Sequence, residues 1–159
     1  YNESDLANKK VRFNIFAAVT VHHDCDRHVD HLILRENRDS YLFRAFVMHL
    51  IEKGTLRRND IFILDNCSIH YQGENQSFEK TLWENFNINM VRLPPYYPEL
   101  NPTKFVFGHL VHELRKKWVR SGIQEENEFL DMVSCQMDEI NFHTVLQQYR
   151  HCGYLRMQY

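Results

Sequence analysis

The chain reads as one α/β domain, a mixed sheet flanked by helices. Three observations predict it: a long alternating run early in the chain, two short and nearly all-apolar runs, and five amphipathic stretches between and after them. At 159 residues, a single domain is the simplest division. Apolar residues make up 43% and aromatics 13%, enough for a full core and too many for a disordered chain. No run of about 18 apolar residues exists, so no membrane span is expected. The polar start at 1–5 is no signal peptide. Cys25, Cys67, Cys135 and Cys152 lie far apart and form no CxxC pair, which fits reduced thiols in an intracellular compartment. The net charge of −2 excludes a global nucleic-acid signature, so any DNA-contacting surface must be local.

The elements follow in order. Val11, Phe13, Ile15, Ala17, Val19 and Val21 alternate with a second set, the period of a strand with one well-buried face. A second strand is expected at 31–35, and the short polar link at 22–30 makes the pair an antiparallel hairpin. Asp39 caps a helix carrying Leu42, Phe43, Phe46, Val47, Leu50 and Ile51, and Gly54 ends it. The run at 60–64 is apolar enough for a parallel strand covered on both faces. Phe78, Leu82, Trp83 and Phe86 mark a helix with Trp83 in its core stripe, and 88–93 the next strand. Pro102 opens a helix to about 119, with Phe107, Leu110, Val111, Leu114 and Trp118 inward. Two more helices carry Phe129, Met132, Val133, Met137 and Ile140, then Phe142, Val145, Leu146 and Tyr149.

Two segments carry chemistry. The strand at 60–64 runs into Asp65-Asn66, and the strand at 88–93 runs into the rigid loop Pro94-Pro95-Tyr96-Tyr97-Pro98-Glu99-Leu100-Asn101-Pro102 before a helix. In α/β proteins, ligands gather where strands end and helices begin, and an acid there is a candidate ligand for a hard divalent cation.

"FILDNCSIH" at 62–70 and "LPPYYPELNP" at 93–102 resemble the catalytic domain of the DDE (Asp-Asp-Glu/Asp) transposases, mariner-like branch. "YRHCGY" at 149–154 resembles the tail of such domains. The resemblance covers residues 11–154. It implies an RNase H-like fold, DNA cleavage and strand transfer in transposition, two Mg²⁺ or Mn²⁺ ions held by three acids, and transposon ends and target DNA as partners. It admits a homodimer and, in a eukaryote, implies the nucleus. Asp65 matches the second acid and the metal ligand. Lys104 stands at the position of the third acid, where a cation repels a metal. The first acid belongs on a central strand preceding residue 11, and no such strand reads there. The expectation is therefore a truncated or catalytically degenerate copy, inactive as it stands and a poor metal binder. The rival is a domesticated, non-catalytic domain binding DNA or protein.

Each residue also has a plainer reading. Asp65 can simply cap the turn after its strand. Asn66 and His70 are expected to support Asp65 or shape the turn rather than react. Glu99, on the loop, is displaced too far to replace the third acid. The His- and Asp-rich stretch at 22–31 matches no zinc spacing and reads as an ordinary hairpin link. Arg115, Lys116, Lys117 and Arg120 suit phosphate contacts as well as they suit a helix C-terminal dipole. Tyr96 and Tyr97 are expected to pack against the site rather than stack on bases.

Overall fold

The computed structural model describes residues 13–35, 39–65, 67, 75–121 and 126–155, with the backbone alone considered at 118–121. Nine elements follow in order: β1 (Asn14–Val19), β2 (Val29–Leu34), α1 (Ser40–Glu52), β3 (Ile61–Leu64), α2 (Asn75–Phe86), β4 (Asn89–Arg92), α3 (Pro102–Ser121), α4 (Glu126–Asp138) and α5 (Phe142–His151). A short 3-10 turn, Pro98–Leu100, precedes α3.

The early alternation forms the predicted antiparallel hairpin, with Ile15 opposite Ile33 and Val19 opposite Val29. Both of its faces are apolar. Phe16 and Ala18 with Leu32 and Leu34 join Phe43, Phe46, Val47 and Leu50 of α1, Leu64 of β3, Leu82 of α2 and Met90 of β4. The ring of Phe16 stacks on Phe46 at 5.7 Å between centroids. Ile15, Ala17, Val19, Val29 and Ile33 face the other way, onto Val106 and Leu110 of α3, Val133 and Met137 of α4, Ile140, and Val145 of α5. The hairpin is thus the middle layer between two helical layers.

The expected single mixed sheet is not what is described. β1 and β2 form one two-stranded sheet, and β3 and β4 form a second, parallel one, with Phe62 opposite Met90. The expectation that β3 is covered on both faces also fails. Phe62 and Leu64 point into the first core, but Ile61 is 65% exposed and Val91 is exposed beside it. The physical reason is that α3 packs against β1, α4 and α5 rather than over β3 and β4.

Local signals hold well. The Asp39 carboxylate accepts the Leu42 amide at 2.7 Å and caps α1. Gly54, at φ 74°, turns the chain out of α1 in the left-handed conformation that glycine adopts most cheaply. Trp83 is not core: it is 55% exposed, because Leu82 beside it occupies the inward face of α2.

Candidate functional site

The site is built by two unpaired strand edges. β1 has β2 on one side and β3 has β4 on one side; among the described residues no strand lies between them. A cavity of about 530 Å³ fills that gap, lined by 15–22 along β1, by 59–65 along β3, and by Cys67, Asn101, Pro102, Thr103, Lys104, Phe107 and Tyr149. One end is clamped, where His22 Nε2 meets Asp60 Oδ2 at 2.8 Å. Asp60 also accepts the Arg57 amide at 2.7 Å, so the carboxylate is fixed before it meets His22. His22 follows β1 and Asp60 precedes β3, so the two strands run in opposite directions across the cavity.

The other end carries the chemistry. Asp65 is the first residue past β3 and is exposed at the cavity wall. Its Oδ1 accepts the Cys67 amide at 3.2 Å, closing a turn at the end of the strand. The next strand lies alongside, with the Leu93 amide donating to the Leu64 carbonyl at 2.8 Å. From Leu93 the proline loop arches out and returns to the same cavity at Asn101. There the Asn101 side chain accepts both the amide (3.1 Å) and the hydroxyl (2.7 Å) of Thr103, and the Asn101 carbonyl accepts the Lys104 amide at 3.1 Å. These bonds satisfy the opening donors of α3, and buried Pro102 needs no donor partner. Lys104 is thereby held in the first turn of α3, where it lines the same cavity as Asp65. Among the described residues no acid pairs with it.

Two positions that the sequence did not single out as site residues help shape the cavity. Tyr149 of α5 donates its hydroxyl to the Val19 carbonyl at 2.9 Å, and burial pushes that phenol up to about 12. Tyr154 donates to the Leu100 carbonyl at 2.7 Å and ties the proline loop to the end of α5. Tyr149 was read from the sequence as one of the apolar-face residues of its helix, and the tail motif at 149–154 contains both.

The remaining predicted residues are scattered. Asn66 and His70 lie outside the described residues. Glu99 is exposed on the 3-10 turn and does not line the cavity. Tyr96 and Tyr97 do not pack against the site: they are 98% and 53% exposed, because the loop anchors through its ends and leaves its tip in solvent. On α3, Lys116 pairs with Glu113 at 2.9 Å, Lys117 lies 3.8 Å from Glu139 just past α4, and Arg115 is exposed with no acidic partner among the described residues. The Lys116 ammonium holds the Glu113 carboxyl below its usual range. The side chain of Arg120 is not among those described. In the stretch at 22–31, Asp24 pairs with Arg57 at 2.9 Å and His22 with Asp60. Among the described residues no three His, Cys, Asp or Glu side chains converge as a metal site.

The comparisons agree with the motifs. A family profile described as DDE superfamily endonuclease matches residues 2–125, well over half of the chain. The chain belongs to the DDE superfamily endonucleases. No curated protein and no solved structure matches it. Members of this superfamily act on DNA and generally use divalent metals. Among the described residues the donor set around the cavity does not fit such a pair of ions: of its two carboxylates, Asp60 is taken up by His22 and the Arg57 amide, and Asp65 lines the cavity together with the cation Lys104. No helix among the described residues is long and apolar enough to cross a membrane.

Proposed function

We propose that this chain is a DDE transposase-like catalytic domain of the mariner-like branch whose metal site has degenerated. The observation that carries this reading is that Asp65 and Lys104 line one cavity. Asp65 sits at the end of β3 and residue 104 in the first turn of the helix after the proline loop, the two places the resemblance assigns to the second and third acids. The cavity between β1 and β3 supports an RNase H-like arrangement in the same way. A strand seated there would run antiparallel to β1 and parallel to β3, and would end beside Asp65. In this reading Asp65 keeps a ligand's place, Lys104 opposes a metal, and Arg115, Lys116, Lys117 and Arg120 supply phosphate contacts. The reading does not require a homodimer.

The cation at 104 also favours the rival reading, a domesticated domain that binds DNA without cutting it, because an ammonium in the cavity suits a phosphate better than a metal. Calorimetric titration with Mn²⁺ tests the degenerate site. The unmodified chain is expected to bind Mn²⁺ weakly or not at all, and Lys104→Glu to bind it measurably. Micromolar affinity in the unmodified chain would overturn the reading.

A further inference from the structure

Three non-glycine residues among those described have positive φ: Asn59 (73°), Asn87 (54°) and Tyr96 (66°). Asparagine tolerates the left-handed region well, and the two asparagines also pair, Asn87 Nδ2 donating to Asn59 Oδ1 at 2.7 Å. Tyr96 has neither excuse. Its side chain is 98% exposed, so no packing inside the chain repays the strained backbone. Strain of this kind persists where the surroundings force it. Here they do. Pro94 and Pro95 stiffen the approach, Pro98 opens the 3-10 turn, and the loop is tied down on either side, by the Leu93 amide to Leu64 and by Tyr154 to Leu100. The outcome is a rigid loop holding one whole aromatic ring in solvent at its tip. Tyr97, half exposed, stands next to it.

The position of the loop narrows what the ring can meet. It leaves the end of β4 where the Leu93 amide bonds to Leu64, a residue of the cavity lining, and its far end, Asn101–Lys104, lines the cavity itself. Lys104 is an exposed cation without an acidic partner among the described residues, as is Arg115, about 16 Å further along α3. An exposed ring on a rigid loop that leads into an exposed cation offers the two contacts that read a nucleotide out of its stack: base on ring, phosphate on ammonium. A fully paired duplex hides its base faces, so the ring adds nothing there.

We infer that Tyr96 is a base-stacking residue that engages one unpaired nucleobase of DNA, with Lys104 taking the adjoining phosphate. This rests on the DNA reading above and adds to it a preference for unpaired over paired nucleotides. The proposal involves no bond-making step and no metal.

The test uses the whole chain without divalent metal, at low salt. The probes are two labelled duplexes, one fully paired and one carrying a single bulged 2-aminopurine. Anisotropy is expected to show roughly tenfold tighter binding of the bulged duplex, the effect of one stacked base, with 2-aminopurine emission quenched on binding. Tyr96→Ala should abolish both the preference and the quenching while leaving the paired duplex bound as before. Tyr96→Phe should retain both. Matching thermal melts are expected, since no buried contact is lost. Equal affinity for the two duplexes, or a preference that survives Tyr96→Ala, would overturn the inference while leaving the DNA reading intact. Failure to bind either duplex would overturn both. A change in self-association on Tyr96→Ala with DNA binding unaltered would assign the ring to protein docking and overturn stacking.

Discussion

Lys104 places a positive charge in the first turn of α3, where it lines the same cavity as Asp65. Replacing Lys by Glu there changes the local charge by two. At about 1 kcal/mol per unit charge at 4 Å in water-like surroundings, Lys104→Glu should raise Mn²⁺ affinity by roughly tenfold or more. Adding Asp65→Ala to that variant should return affinity to the starting level, because the remaining carboxylate stands alone. Tyr149 offers a second single-residue test. Its hydroxyl bridges α5 to the Val19 carbonyl. Tyr149→Phe should lower stability by about 1 kcal/mol, read as a lower melting temperature without loss of secondary structure. At this scale the sequence was most legible where a side chain acts on its own neighbourhood. Asp39, Gly54, Pro102 and Asp65 all sit where local rules put them. Trp83 and Tyr96 did not follow, because which face of a helix or loop meets the core depends on elements far away in the chain. Leu82 took the inward place on α2, and the anchoring of the proline loop through its ends turned Tyr96 outward.

Two elements carry the next tests. Helix α3 presents its basic end with unequal partners. Lys116 is held by Glu113 on the same helix, and Lys117 lies near Glu139 just past α4. The first pairing was readable from the i, i+3 spacing; the second was not, since it depends on how α4 packs. Arg115→Ala should therefore weaken duplex binding more than Lys116→Ala, and replacing 115, 116, 117 and 120 together by Ala should flatten the salt dependence without unfolding the domain. Unchanged affinity in the fourfold variant would remove this helix from the DNA surface. The second element is the contact of β2 with α4. His31 Nε2 meets Ser134 Oγ at 2.9 Å, and its side chain is nearly buried. Burial pushes the imidazole below its ordinary value of 6.5. The Asp138 carboxylate pulls upward more weakly, with Asp30 alongside, while Arg27 and Lys53 pull downward. The unfolded chain therefore takes up this proton at a higher pH than the folded chain. Stability should be fully present above about 6.5 and fall as the pH drops through the folded value. Denaturant melts from pH 7.5 to 5 check this, and His31→Gln should flatten that part of the profile.

At the scale of the whole molecule, the hairpin, the parallel pair and all five helices were legible from periodicity and caps, while the joining of the sheets was not. Periodicity of two reports which face of a strand is buried; it is silent on which edge meets which neighbour. The structure answers with two small sheets facing each other across one cavity, clamped at the His22–Asp60 end and chemically equipped at the Asp65–Lys104 end. Half of the candidate site was readable in the motifs, because Asp65 and Lys104 sit at ends of elements that the motifs themselves define. The remainder, from Tyr149 to the clamp, comes from tertiary contacts between residues up to 130 positions apart.

The central claim is that a DDE framework here holds a site unfit for two-metal chemistry. Activated water and a stabilised leaving oxygen both need metals held by several acids, and in the proposed reading Asp65 with Lys104 at the third-acid position does not supply them. The most direct measurement is conversion of supercoiled plasmid to nicked circle with Mg²⁺ or Mn²⁺, comparing this chain with its Asp65→Ala and Lys104→Glu variants. No metal-dependent nicking is expected from the chain with Lys104, alone or within a longer polypeptide that carries it. Nicking by the unmodified chain that disappears in Asp65→Ala would contradict the account and turn attention to Glu99 as the further acid.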